Sequence, residues 1–499
     1  MMELECDIAV VGSGAGGGVV AKELAPLAKK GLRILLLESG PYATREYFDQ
    51  TEENMTRLYW DRGGTQTKDG AMTIAQGRCV GGSTTFFTGT TFRIPQHVLD
   101  KWNIPDLALA DLNPRYQRIE EELSVHELTD EYINANNRYF KKGMDGLGWS
   151  GGPLKINTSK ACKPYGYCNL GCASGGKQGT MEVQIPKAVS LGVELVPNCH
   201  VTKVGERELW ARISSAPKGT HPNHHPQGDY HIKARVIYVC AGAVRSPALL
   251  LKSGLAAPSP VLGRRLTFHP AMIVYGIHPE EIDGVRGFPK AYYCDEFSKR
   301  DRFLLETCFY YPFVAAKNIG AWGEEEKEIM ASYRRLMAIL ILHHDETHAH
   351  NRIAVGGEKF AVHYRIDADM IRSLTLAQIA SAEIFFEAGC EQVVIPASDK
   401  LIVHRDERHK LKEYVSEKNM ILNKVTLTSA HPQGGCGMGQ DVAHSVVNSY
   451  GQVHGHPWLF VMDASVYPQC VEVNPYLTIM ALADRSAEFA RENIESLLR

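Results

Sequence analysis

Cys6-Asp-Ile-Ala-Val-Val11 runs straight into Gly12-Ser-Gly14-Ala-Gly-Gly17-Gly18, and this junction decides the fold. An apolar strand enters a glycine turn, and residues 19–30 continue with helical spacing, Val20, Leu24 and Leu27 forming the buried stripe. Gly31 closes the helix, and Arg33-Ile-Leu-Leu-Leu-Glu38 reads as a second buried strand. Gly12, Gly14 and Gly17 stand at G-x-G-x-x-G spacing. The first permits the tight turn, the second lets backbone approach a pyrophosphate, and the third lets helix pack closely on strand. The helix N-terminus offers unpaired N–H groups to phosphates. Glu38, about 20 residues on, is placed to accept from ribose hydroxyls. The expected fold is α/β, a doubly wound Rossmann-like dinucleotide-binding domain. The pattern alone leaves NAD and FAD open.

Further along, residues 195–213 and 229–239 read as strands around a polar loop, 215–228, whose His221, His224 and His225, with the adjacent His231, are expected to be exposed. Residues 325–342 begin highly charged and turn apolar, which predicts a helix with one buried side. No repeat or low-complexity linker divides the 499 residues, so domains are expected to interleave. Apolar residues make up 44% and charged residues 22%, as in a globular protein. A net charge of −3 and a pI near 6.7 give no basic footprint for nucleic acid. No apolar run approaches the ~18 residues of a membrane span. The acidic start, Glu3, Glu5 and Asp7, lacks the cationic and apolar regions of a leader, so a cytoplasmic chain is expected, or one exported with a partner.

Several later segments resemble the glucose–methanol–choline (GMC) family of flavin oxidoreductases. Leu36-Leu-Glu38-Ser-Gly40-Pro is similar to its second-strand ending, and Gly77-Arg-Cys-Val-Gly81-Gly82-Ser83 to its second glycine motif, which packs beside the flavin. Val239-Cys-Ala241-Gly242-Ala-Val-Arg-Ser-Pro247 resembles its late FAD-domain strand and helix. His431-Pro-Gln-Gly-Gly435-Cys-Gly-Met-Gly439, Val461-Met-Asp463-Ala464-Ser465 and Asn474-Pro475 resemble its C-terminal signature in order and spacing. The resemblance implies FAD, held by residues 1–93, 161–270 and 426–499. An inserted antiparallel-sheet substrate domain would comprise 94–160 and 271–425. Where many members carry Asn or His after the second glycine motif, this chain reads Thr84-Thr85-Phe86-Phe87. A histidyl–flavin bond there is excluded, so non-covalent FAD is expected. The aromatic pair also resembles the sugar and sugar-acid dehydrogenase branch.

The resemblance implies FAD-dependent oxidation of an alcohol (CH–OH), such as a sugar or polyol. Taking a hydride from carbon leaves a hydroxyl proton for a base, and histidine titrates in the useful range. The match puts His431 in that role and Asn474 as donor to the developing alkoxide. Pro475 opens a helix over residues 477–498 whose positive end would face the flavin. Asp463 is open between a cofactor contact and a cap on the next turn. Rival readings are a lyase or decarboxylase on the same scaffold, or a flavin electron-transfer subunit.

Two clusters stand apart. Cys162, Cys168 and Cys172 form C-x5-C-x3-C, open to iron–sulfur, zinc, reduced thiols or one disulfide. The spacing resembles the 3Fe–4S segment of bacterial FAD-linked glucose dehydrogenases, which would imply a cytochrome or small-subunit electron acceptor. Gly171-Cys172 and Gly175-Gly-Lys177 equally resemble long-chain alcohol oxidases, which are not known for clusters. His343, His344, His348 and His350 read as a solvated turn or the edge of a substrate pocket.

Overall fold

The glycine turn sits where the sequence puts it. In the computed structural model, which describes residues 1–255, 259–422 and 424–499, Met2–Val11 is a strand and Ala15–Ala28 the helix that follows. Ile34–Leu37 pairs parallel with the first strand, and Glu194–Val196 pairs parallel beyond it. On the other side Gly228–Val239 lies parallel to Met2–Val11 and then divides its outer edge. Its first half pairs antiparallel with Glu208–Ile213, and its last three residues pair parallel with Leu459–Val461. The distant C-terminal segment thereby joins the dinucleotide sheet. Ile34–Leu37 is buried at every position, as a central strand covered on both faces must be.

A second sheet is largely antiparallel. Ala271–Ile277 lies between Leu336–His343 and Gln392–Val394, and Phe303–Thr307 flanks Leu336–His343. The long helix Ala368–Ala388, capped by Asp367 accepting from Met370 N, packs behind this sheet. Leu427–Ser429 joins it beside Met72–Ile74, tying the segment before His431 to the substrate side.

The cores divide differently from the chain segments. Ile94, Val98, Trp102, Leu112 and Tyr116 belong to the core of the dinucleotide sheet, whereas Phe140 and Met144 belong to that of the second sheet.

The helix expected over 325–342 is corrected. Gly323–Ala331 is a helix, Tyr333–Arg335 a single tight turn, and Leu336–His343 a fully buried strand. A short, continuous apolar run carries no periodicity that separates buried strand from buried helix. Pairing on both edges settles it. The helix expected over 477–498 is Tyr476–Glu492 followed by a separate turn of helix, Ile494–Leu497. Among the described residues no helix is long and apolar enough to cross a membrane.

Candidate active site

One cavity of about 1010 Å³ runs from the glycine turn to His431, lying between the two sheets. Gly12, Gly14, Glu38, Gly82, Ser83, Ala241 and Gly242 line it, and so do Asp463, Ala464, Asn474, Pro475 and His431. Gly17 and Gly81 do not reach it.

Each glycine has a separate geometric reason. Gly12 has φ +100°, and a Cβ there would stand 2.3 Å from the Cys240 carbonyl oxygen. A Cβ on Gly17 would meet the Gly12 oxygen, so this glycine seats the helix on its strand. Around Gly14 the space is open apart from Gly82 Cα at 3.9 Å, while a Cβ on Gly82, φ +53°, would come 2.9 Å from Gly14 Cα. Two bare glycine loops therefore touch each other at the cavity wall beside a helix N-terminus, leaving backbone without side chains where a pyrophosphate could approach. Gly81 sits behind, its N–H donating to Ser13 Oγ at 3.0 Å, and Ser83 Oγ accepts from Gly77 N at 3.0 Å.

Glu38 is buried and already well supplied with donors. Ser13 N (3.0 Å) and Ser13 Oγ (2.7 Å) donate to one oxygen, Gly40 N (2.8 Å) and Ser39 Oγ (3.2 Å) to the other. Burial raises its pKa although these bonds act against the shift. A ribose hydroxyl would share Glu38 with the serine hydroxyls. Asp463 behaves similarly: it caps the turn Ala464–Val466 through Ser465 N at 2.8 Å and accepts from Gly242 N at 2.9 Å. The capping role is thus present, and Asp463 holds the two cavity-lining loops together.

At the other end, His431 is set by Ser429 Oγ, which accepts from its backbone N–H at 3.2 Å, and by mutual backbone hydrogen bonds between Gln433 and Thr267. These bring in a residue that sequence reading missed. His269 Nδ1 lies 2.9 Å from His431 Nδ1, the two rings at 85°. Burial lowers the His431 pKa well below 6.5, helped by His269 and by the Lys290 ammonium. The imidazole is therefore neutral at working pH, the state a base needs. Asn474 is buried, and its Oδ1 has no hydrogen-bond partner among the described residues. Tyr467 donates to the Pro475 carbonyl at 2.9 Å, fixing the entry to the helix Tyr476–Glu492, whose first turn borders the cavity.

The substrate-side wall is mixed. Ala271 pairs with Leu342 and Ile273 with Leu340, and all four line the cavity. Lys290, also on the wall, is ion-paired with the buried Glu306, whose Oε1 has no partner among the described residues. Phe86 stacks on Tyr59 at 4.7 Å, and Phe87 meets Tyr476 edge-on at 4.9 Å. Lys290 had no sequence signal.

At the cysteine loop the reading left open as reduced thiols is the one the structure shows. Among the described residues no three His, Cys, Asp or Glu side chains gather in an arrangement that could hold a metal ion, and Cys162, Cys168 and Cys172 are all free thiols. The loop is organised by Lys177, which is buried. Its ammonium donates to the Cys168 carbonyl at 2.7 Å and to the Thr85 and Phe87 carbonyls, while its backbone N–H donates to Cys172 Sγ at 3.3 Å. Burial pushes the Cys168 thiol up to about 12, and the neighbouring thiols push the same way. The Lys177 ammonium pulls the other way but does not offset burial, and a thiol held neutral is a poor ligand. The residues do not fit an iron–sulfur cluster.

The histidines after the apolar run also separate. His343 and His344 are buried, not solvated: His343 Nδ1 meets Ser373 Oγ at 2.8 Å, and the His344 ring centroid lies 5.8 Å from that of His269. His348 and His350 stack at the surface. Of the other four, His221 and His224 are exposed, while His225 and His231 are half-buried against Glu194 and Glu208.

A cavity with bare glycine backbone and a helix N-terminus at one end and a buried histidine at the other has the form of a dinucleotide-binding oxidoreductase site. Family models described as GMC oxidoreductase match residues 55–271 and 349–483, and the chain belongs to the GMC oxidoreductase family. A GMC-type oxidoreductase of Mycobacterium tuberculosis is 30% identical over 488 residues, covering 96% of this chain and 74% of its own length. A long-chain-alcohol oxidase of Arabidopsis thaliana is 27% identical over 517 residues, 96% of this chain and 66% of that protein. The solved structure of a pyridoxine 4-oxidase from Mesorbium loti matches with a TM-score of 0.70 at 17% identity, over 98% of this chain and 99% of that one, which shows a common fold. Family membership makes the chain an FAD-dependent oxidoreductase acting on alcohol-type groups.

Proposed function

We propose that this protein binds one FAD non-covalently and oxidises the CH–OH group of a small alcohol, with His431 as base and Asn474 holding the substrate oxygen. The observation that carries the reading is the single cavity joining the Gly12–Gly14 turn to His431 and Asn474. The bare wall formed by the touching glycines Gly14 and Gly82 would take the pyrophosphate, and Glu38, Ala241 and Gly242 the adenosine side. Asp463, Ala464 and Pro475 would border the flavin. The chemistry FAD supplies when bound is acceptance of two electrons together with the carbinol hydrogen.

The chain's residues do the rest. His431 removes the hydroxyl proton at Nε2, the nitrogen not engaged by His269. Asn474, buried and neutral, donates to the oxygen as charge gathers there, a contact worth more in a site shielded from water. Lys290 near His431 opposes imidazolium formation in the resting site and favours the alkoxide.

Lys290 on the wall supports a substrate with a further hydrogen-bonding group, such as a sugar or polyol. The aliphatic run Ala271, Ile273, Leu340 and Leu342 favours a second reading, a longer-chain alcohol. Anaerobic mixing of the holoprotein with a panel of polyols and alkanols, followed through flavin bleaching, tests both. Bleaching by one class selects it; no bleaching by any alcohol overturns the oxidation reading.

A further inference from the structure

Behind His431 lies a chain of two further polar groups. His431 Nδ1 is 2.9 Å from His269 Nδ1, and His269 Nε2 is 3.1 Å from Cys470 Sγ. His269 and Cys470 are both buried, and burial holds the His269 pKa down to about 3, so it stays a neutral imidazole with a single ring proton.

One proton per ring permits two arrangements. In the first, His431 carries its proton on Nδ1 and donates it to His269 Nδ1. His269 then carries its own on Nε2 and donates it to Cys470 Sγ, and His431 Nε2 is left bare to act on substrate. In the second, every bond reverses. The Cys470 thiol donates to His269, His269 donates to His431, and His431 Nε2 is capped by a proton and cannot serve as base. The pair is one coupled switch, and its setting is decided at the far end, at Cys470.

Gln433 makes Cys470 the deciding residue. Its Oε1 accepts from Val471 N at 2.8 Å, which fixes which end of the amide is the donor. That donor, Nε2, lies 3.4 Å from both the His431 carbonyl oxygen and His269 Nε2. Without a sulfur to receive the His269 proton, the nearest remaining group is this donor, which favours the second, inactive arrangement.

We propose that Cys470 and His269 are positioning residues that set the tautomer of His431, Cys470 Sγ accepting from His269 Nε2 so that His431 Nε2 is unprotonated toward the substrate. Cys470 undergoes no redox step in this role. The inference rests on His431 being the base.

The test is anaerobic single-turnover flavin reduction by the best substrate in holoenzyme variants. Cys470→Ala should lower the limiting rate by about 10²-fold, the lower end of what losing a general base costs, with the substrate dissociation constant little changed. Cys470→Ser, whose oxygen accepts the same proton, should restore most of the rate. In ¹⁵N-histidine spectra, the signal removed by His431→Gln should show an unprotonated Nε2 in the parent protein and a protonated one in Cys470→Ala. A parent-like rate in FAD-loaded Cys470→Ala overturns the proposal, and so does a Ser variant as slow as Ala. The two levels of failure separate: if His431→Ala itself reduces flavin normally, the base assignment has failed; if only the Cys470 series is unchanged, the tautomer control alone has failed.

Discussion

A Cβ placed on Gly17 would stand 1.8 Å from the carbonyl oxygen of Gly12. No L side chain fits that gap, because the obstacle is backbone and backbone cannot yield without moving the strand from the helix. Gly14, three residues earlier, has no such neighbour; its Cβ would meet only Gly82 Cα, at 3.9 Å. The same motif thus contains two glycines that the backbone around them requires, Gly12 and Gly17, and one, Gly14, whose side is open.

Alanine substitution should separate those roles. Gly17→Ala is expected to lower the melting temperature and the yield of folded protein as well as FAD content. Gly14→Ala should leave the melting temperature of the apoprotein near the parent value and still reduce the FAD bound per chain. Equal melting temperatures for the two apoproteins would refute the division.

At the reacting centre, His431→Ala should slow flavin reduction by about 10²–10⁴-fold. Asn474→Ala should cost about 10²–10³-fold if Asn474 is a main donor to the alkoxide. Both should retain FAD, released into the supernatant on acid precipitation. Unchanged rates would show that the proton and the oxygen are handled elsewhere.

The sequence-readable part of this site is the part made by contiguous chain. Gly12 to Glu38 is one strand–turn–helix–strand unit, so its chemistry follows from spacing alone. His269 was not readable in that way. It lies 162 residues from His431 and reaches it only because Thr267 and Gln433 form a mutual backbone pair. Lys290 likewise lies just before the strand Tyr292–Cys294 and is held by its ion pair with Glu306 on Phe303–Thr307. The strand Leu336–His343 is not legible in the sequence for a different reason: eight buried residues in succession have the same appearance in either conformation. The thiols at 162, 168 and 172 show the opposite hazard, a ligand-like spacing in a loop that Lys177 ties together through the Cys168 carbonyl and Cys172 Sγ.

Lys177→Met should therefore be more damaging than any single thiol substitution. It removes a buried ammonium and leaves the Cys168, Thr85 and Phe87 carbonyls short of a donor, at roughly 1–3 kcal/mol for each one left unsatisfied. Thermal unfolding should show a clear loss for Lys177→Met and a small one for Cys172→Ser. Iron or zinc at one or more atoms per chain in purified protein would contradict the structural role assigned to this loop.

Lys290 and Glu306 offer a test of the substrate wall. Lys290→Met alone strands a carboxylate that is fully buried and should destabilise by about 3–5 kcal/mol. Lys290→Met combined with Glu306→Leu removes both charges and should recover most of that loss. In the double variant, KM for polyols should rise while that for alkanols holds or falls. A double variant with unchanged preference would show that Lys290 does not meet the substrate.

The buried histidines predict how stability depends on pH. Burial lowers the pKa of His269 and His343 to about 3 each and holds His344 and His431 well below 6.5. For a group whose folded pKa is depressed, the stabilising contribution is complete above the unfolded value and is lost as pH falls toward the folded one. Below 6.5 the unfolded chain binds protons that the folded chain refuses, at about 1.4 kcal/mol per pH unit for each group. Asp345 works in the other direction, because burial pushes it up to about 7 and the folded state therefore gains as pH falls from 7 toward the ordinary carboxylate value. Glu182, pushed up to about 6, and Glu38 and Asp463, also raised by burial, act with Asp345, while His200, lowered to about 4, joins the other histidines. The five rings outnumber these carboxyls, so the melting temperature of the holoprotein should fall from pH 6.5 to 5 and change little from 8 to 7. His343→Gln, which can keep a hydrogen bond to Ser373 without a titrating ring, should flatten the decline by about one group's share. A melting temperature level between pH 6.5 and 5 in the parent protein would mean that these rings take up protons in the folded state.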